Sequence, residues 1–200
     1  VRWSPYGYPI VPHLAKSWEI KDQFREYVFH LRKGVRWSDG HPLTTEDILY
    51  FWENEANEPA ISQRPTHIFR HMGKSAKMSA IDEYTLKIRF EEPYLDFLDR
   101  LATSHGQQLL RSPAHYLKKY HPIIGDHEFI AEEMVRAGMP SPQMLYSYVK
   151  RWNNPNHPRL WPWVYRTYKP NPPYVFVRNP YYFAVDPEGN QLPYIDRCIL

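Results

Sequence analysis

The chain has 200 residues, 42% of them hydrophobic and 24% charged, with a formal net charge of +3, enough for one sizeable core or one core with a subdomain. Its basic residues are interleaved with acids, as in Glu19, Lys21, Asp22, Arg25 and Glu26, which excludes the basic stripe of a nucleic-acid binder. A lone Cys198 excludes an internal disulfide and a multi-cysteine metal centre, and no run of about 18 apolar residues is present to cross a membrane as a helix.

Residues 14–20 and 26–32 read as two strands. In the second, Tyr27, Phe29 and Leu31 share one face, and Val28, His30 and Arg32 the other. Lys21, Asp22 and Gln23 between them form a polar turn. Trp37-Ser38-Asp39-Gly40 is a tight turn in which Gly40 takes a positive φ. A helix follows, with Thr44 as its N-cap and Asp47 three residues on, and Ile48, Phe51, Trp52 and Ala56 fall on one face before Pro59. Residues 77–90 read as a hairpin turning at Asp82-Glu83, with Tyr84, Leu86, Ile88 and Phe90 alternating with polar residues.

After Pro93 a short helix is expected to carry Leu95, Leu98 and Leu101. Residues 112–152 read as three helical pieces: one opened by Ser112-Pro113, one ended by Gly138, and one opened by Ser141-Pro142. In the third, Leu145, Tyr148, Val149 and Trp152 share a face. Residues 153–173 hold six prolines and read as loop. Residues 174–178 are a strand, 186–193 a turn, and 194–200 begin a final strand. The fold class is α/β: a mixed sheet with a mostly helical excursion, whose two ends are expected to rejoin one sheet.

From residue 14 to residue 52 the sequence carries a long motif: Trp18 and Glu19, then Phe29, Leu31, Arg32 and Gly34, then Trp37, Asp39, Gly40, Pro42, Thr45, Glu46 and Asp47. This closely resembles the signature of the extracellular solute-binding proteins of family 5, the peptide, nickel and oligosaccharide type. Arg178-Asn179-Pro180 and Pro193-Tyr194-Ile195-Asp196 resemble later elements of the same family. Where many members carry Gly-Thr-Gly-Pro-Tyr, this chain has Tyr168-Lys169-Pro170-Asn171-Pro172-Pro173-Tyr174.

The resemblance implies a type-II periplasmic-binding-protein fold and the substrate-binding role of an ABC importer. Such a protein captures an oligopeptide or oligosaccharide between two lobes and delivers it to a membrane permease. It implies a periplasmic or extracellular location, with lipid anchoring left open. The chain, opening on Val1, is expected to be an internal piece. Residues 1–43 and 174–200 would form the sheet-based part of lobe I, 44–173 an inserted α+β subdomain, and lobe II would lie outside it.

Trp161, Trp163 and Tyr165 alternate along the proline-rich stretch and, with Arg166, are the candidate ligand contacts: rings on a stiff loop lose little entropy when they bind a sugar or a peptide side chain. The competing reading has them filling space between helices and sheet. Asp39 reads as a turn-capping acid rather than a catalytic one. His67 and His71 stand four apart, a spacing that chelates metal on a helix, but with no acid or thiol beside them in sequence no metal site is assigned. The acid pairs Glu91/Glu92, Asp96/Asp99 and Glu132/Glu133 read as solvated surface rather than a glycosidase pair. No catalytic residue and no cofactor is expected. The alternatives are a carbohydrate-active enzyme, or a sensory or interaction module on the same fold.

Overall fold

The computed structural model describes residues 1–62, 67–167 and 172–200. The chain forms two compact units. The first comprises Val1–Gly34 and Thr44–Ser112, the second Val35–Leu43 and Pro113–Leu200. This division is drawn differently from a split of 1–43 plus 174–200 against 44–173.

In the first unit, β1 (Arg2–Trp3) pairs with β2 (Ile10–Val11). The hairpin strands β3 (Ala15–Lys21) and β4 (Glu26–Leu31) are antiparallel. Their turn places Asp22, Gln23 and Phe24 all in the left-handed region, at φ 47, 50 and 65°. Helix α1 (Thr45–Phe51) runs on into one π-type turn, Trp52–Ala56. Its start is a reciprocal cap: the Thr44 hydroxyl accepts from the Glu46 amide (3.2 Å), and the Thr44 amide donates to the Asp47 carboxylate (3.1 Å). Ile48, Phe51, Trp52 and Ala56 are all buried, as the helical spacing requires.

A small hairpin, β5 (Arg70–His71) with β6 (Lys74–Ser75), precedes β7 (Lys77–Asp82) and β8 (Thr85–Arg89). The main sheet has the order β3-β4-β8-β7, antiparallel throughout. Register sets Tyr27 opposite Ile88 and Phe29 opposite Leu86. An aromatic cluster fills the core: Tyr27, Phe69, Phe90 and Tyr94 meet Phe97 with centroids 4.8–6.0 Å apart. The Tyr27 hydroxyl donates to the Tyr94 carbonyl (2.6 Å).

Helix α2 (Phe97–Leu101) begins later than the spacing of Leu95, Leu98 and Leu101 predicts. Residues 94–96 are held as a turn, with the Tyr94 amide on the Phe24 carbonyl (3.0 Å). Phe97 therefore takes the core position, and Leu95 is 68% exposed. Downstream, a Cβ on Gly106 would lie 1.9 Å from the Leu101 carbonyl oxygen, so only glycine allows that approach.

In the second unit, the Val35–Leu43 loop closes on itself. The Leu43 amide donates to the Val35 carbonyl (2.9 Å), Trp37 to His41 (2.8 Å) and Gly40 back to Trp37 (2.9 Å). Helix α3 (Ala114–Leu117) follows Pro113, which stands at the cap with extended backbone rather than inside the first turn. Helix α4 (His127–Ala137) starts at Asp126, whose carboxylate accepts from the Glu128 and Phe129 amides, and ends at left-handed Gly138, as read from the sequence. Helix α5 (Pro142–Val149) is capped by Ser141. Its buried residues are Leu145, Tyr146 and Val149, whereas Tyr148 and Trp152 are exposed.

Strands β9 (Trp163–Tyr165), β10 (Val175–Arg178) and β11 (Arg197–Ile199) form an antiparallel sheet ordered β11-β10-β9. Two expectations are corrected here. The stretch 153–173 is not all loop, because no proline interrupts residues 163–167 and a short strand fits between Pro162 and Pro170. The strands at 174–178 and 194–200 do not rejoin the sheet of β3 and β4; they pair with each other and with β9. Residues 168–171 of the Tyr168–Tyr174 departure lie outside the described residues.

Candidate ligand-binding site

The four candidate residues take different positions around β9. Asn179, fully buried, organises the approach to that strand. Its side-chain amide donates to the Trp161 carbonyl (3.0 Å) and to the Arg159 carbonyl (3.4 Å). Its backbone amide donates to the Pro162 carbonyl (2.8 Å), and its side-chain oxygen accepts from the Tyr181 amide (3.0 Å). Residues 159–162 and Tyr181 are thereby tied to one residue. Trp161 stands at the open end of this arrangement. The residue is 42% exposed, with the Arg159 guanidinium 5.0 Å from the ring centroid.

Trp163 is half-buried, opposite Arg178 in register, and its indole nitrogen donates to the Ile195 carbonyl (3.1 Å). Tyr165 is buried, edge-on to Trp152 (5.6 Å) and Phe176 (5.4 Å). The Arg166 guanidinium donates to the Pro155 carbonyl (2.5 Å). The platform expected of alternating rings is thus divided. Trp161 faces solvent, Trp163 does so partly, Tyr165 packs inside, and Arg166 closes a loop.

The residues that stand with Trp161 come from elsewhere in the same unit. Ser38 and Arg159 bond reciprocally: the Ser38 amide to the Arg159 carbonyl, the Arg159 amide to the Ser38 hydroxyl, each 2.9 Å. Beside Ser38, the Asp39 carboxylate accepts from the His41 amide (3.2 Å) and meets the His115 Nε2 at 2.7 Å. The His41 and His115 rings stack with centroids 3.8 Å apart and planes 8° apart. Tyr181 lies over the turn, its hydroxyl 3.1 Å from where a Cβ on Gly40 (φ +91°) would sit. Asp39 therefore caps its turn, as the sequence suggests, and in addition holds an imidazole. Neither His115 nor Tyr181 carried a sequence signal, because His115 reaches the turn across 76 residues and Tyr181 across still more.

The unit thus carries an exposed indole backed by the Arg159 guanidinium and, joined to Arg159 through Ser38, a turn that holds a carboxylate, two imidazoles and a phenol. Stacking surface and hydrogen-bonding groups of both polarities are what a sugar ring or a peptide uses. Against Tyr116 in the same unit, His157 is 1% exposed, and among the described residues neither of its ring nitrogens meets a hydrogen-bond partner. Burial above all, then the charges of Arg159 and Lys150, pushes it down to about 2.

His67 and His71 do not converge. His67 meets the edge of His105 (4.6 Å), while His71 stacks on Tyr94 (4.1 Å) and faces the Pro93 carbonyl (2.9 Å). Among the described residues no group of three or more His, Cys, Asp or Glu is placed to hold a metal ion. The acids Glu91, Asp96 and Glu133 each pair with a neighbouring cation, Lys74, Arg100 and Arg136.

Comparison with known proteins bears on this arrangement. The family model described as bacterial extracellular solute-binding proteins, family 5 Middle, matches residues 9–200. A periplasmic alpha-galactoside-binding protein of Rhizobium meliloti (strain 1021) is 31% identical over 186 residues, 93% of this chain and 24% of that protein. A solved oligopeptide-binding protein OppA superposes with a TM-score of 0.87 at 38% identity, covering 98% of this chain and 30% of that one. The periplasmic binding protein MelB of Agrobacterium fabrum C58, in complex with stachyose, gives a TM-score of 0.70 at 28% identity, covering 93% and 26%. The chain thus spans about a quarter of the length of the curated relative it matches over most of its length.

Proposed function

Because this chain belongs to the bacterial extracellular solute-binding proteins of family 5, we propose that it is part of the substrate-binding component of an ABC importer. Its mixed α/β fold is that of the type-II periplasmic binding proteins. In this reading the chain supplies part of the first of two lobes. The protein works outside the cytoplasmic membrane, holds an oligosaccharide between the lobes, and passes it to a permease. Affinity is coupled to closure, since contacts from both lobes exist only in the closed state. The protein binds its solute without turning it over, in keeping with a family made of binding proteins.

The observation that carries this is Trp161: a solvent-facing indole, fixed through its carbonyl by Asn179 and backed by Arg159. A pre-positioned ring is the economical way to grip the apolar face of a sugar. The alpha-galactoside-binding relative and the stachyose complex support an α-galactoside as the solute. A second reading, an oligopeptide, is favoured by the OppA likeness at 38% identity.

Calorimetry of the full-length protein with stachyose and with trialanine separates the two. Saturable stachyose binding that weakens about ten-fold or more in Trp161→Ala is expected, since one ring stacked on a ligand is worth on the order of 1–2 kcal/mol. Trialanine binding untouched by Trp161→Ala would move the assignment to peptides. Release of free galactose during the titration would argue for an enzyme instead.

A further inference from the structure

We infer that the end of the β9–β10–β11 sheet carries a second subsite, for a carboxylate-bearing, hydroxylated solute of the sugar-acid type. Trp161 is not among the residues that line it, and it stands independently of the reading above. A groove of about 400 Å³, lined by Val177, Arg178, Pro180, Gln191, Asp196 and Arg197, opens there. That volume accommodates a single sugar ring.

The walls are held in place by backbone. The Arg178 amide donates to the Asp196 carbonyl (2.8 Å), and Val177 pairs with Arg197 in register. The Arg178 side chain meets Asp196 at its Nε (3.1 Å), and among the described residues its terminal guanidinium nitrogens have no other acidic partner. Arg197 is exposed and makes no ion pair among the described residues. Two guanidiniums against one carboxylate leave the groove with an excess of positive charge. Planar guanidinium donors match the two oxygens of a carboxylate.

Acceptors for hydroxyl groups are in place as well. Gln191 spends its side-chain nitrogen on the Pro180 (2.9 Å) and Tyr182 (2.8 Å) carbonyls, so its oxygen is oriented and, among the described residues, meets no donor. The loop that delivers Gln191 is itself clasped. Asp186 accepts from the Asn190 amide (2.7 Å), the Asn190 side chain (3.0 Å) and the Tyr194 hydroxyl (2.6 Å). Trp163, opposite Arg178 and tied to Ile195, sets an indole on the strand beside the groove.

Titration of D-galacturonate, with D-galactose as the neutral control, into the full-length protein at low salt tests the assignment. Galacturonate is expected to bind about ten-fold or more tightly than galactose, because charge-assisted hydrogen bonds outweigh neutral ones. Arg197→Gln, at an exposed position whose circular dichroism is expected to match the parent, loses about that factor, and raising salt to about 0.5 M weakens binding in the parent. In amide and indole NMR spectra galacturonate shifts the Gln191 side chain and the Trp163 indole. Equal affinity for the two sugars, unchanged galacturonate binding in Arg197→Gln, or shifts confined to Trp161 would each overturn the proposal.

Discussion

His157 shows how one side chain ties this fold to pH. Buried, with its pKa pushed down to about 2, it stays neutral in the native chain while the unfolded chain takes up a proton below the ordinary histidine value of about 6.5. The unfolded state then binds more protons, so native stability falls as pH drops through that window, with a limiting slope of about 1.4 kcal/mol per pH unit. We predict that urea denaturation between pH 7 and pH 5 shows this loss and that His157→Phe flattens it; an unchanged slope in the variant would remove His157 as its source. Asn179 is the other single residue on which much depends. Asn179→Ala leaves the Trp161 carbonyl and the Tyr181 amide short of a partner, while the Arg159 carbonyl keeps the Ser38 amide, an expected cost of about 2 kcal/mol by chemical denaturation. The Arg-Asn-Pro element marks this residue in the sequence, but its grip on Trp161 is visible only in three dimensions.

At the scale of elements, local grammar was readable and non-local pairing was not. β3, β4, β8 and α1 stand where alternation and the Thr44–Asp47 cap place them, because each is long enough for its period to show. Three-residue β9 has no period to read, and its sheet with β10 and β11 joins segments that no local pattern connects. The Asp39–His115 contact is lost to sequence reasoning for the same reason, while Trp161 and Trp163 stand out as candidates because rings next to proline are conspicuous. Two substitutions test the local grammar. Thr44→Ala removes the reciprocal cap of α1 and is expected to cost about 1 kcal/mol. Gln23→Gly, at φ 50° in a run of three left-handed residues, is expected to stabilise by about 0.5–1 kcal/mol, since glycine alone adopts that region without steric cost. Urea midpoints read both, and opposite signs are the point of the comparison.

At the scale of the whole molecule, the proposed binding role requires that the solute stabilise the protein through mass action. Stachyose at 100 times its dissociation constant is expected to add about 2.7 kcal/mol to the apparent stability of the full-length protein. A melting temperature indifferent to saturating stachyose would exclude it as the solute. The same measurement with Trp161→Ala, at equal ligand concentration, should show a smaller rise.

The loop Val35–Leu43 belongs to the second unit although the residues on both sides of it belong to the first. During synthesis this has a temporal consequence. A nascent chain that has reached residue 112 holds every segment of the first unit, yet Ser38 and Asp39 must wait for Arg159 and His115, which the ribosome has still to deliver. Trp37, 1% exposed in the finished structure and grouped with the second unit, is expected to be less covered during that interval. A stalled chain ending near residue 112 should therefore emit with a red-shifted tryptophan signal and present this loop to chaperones.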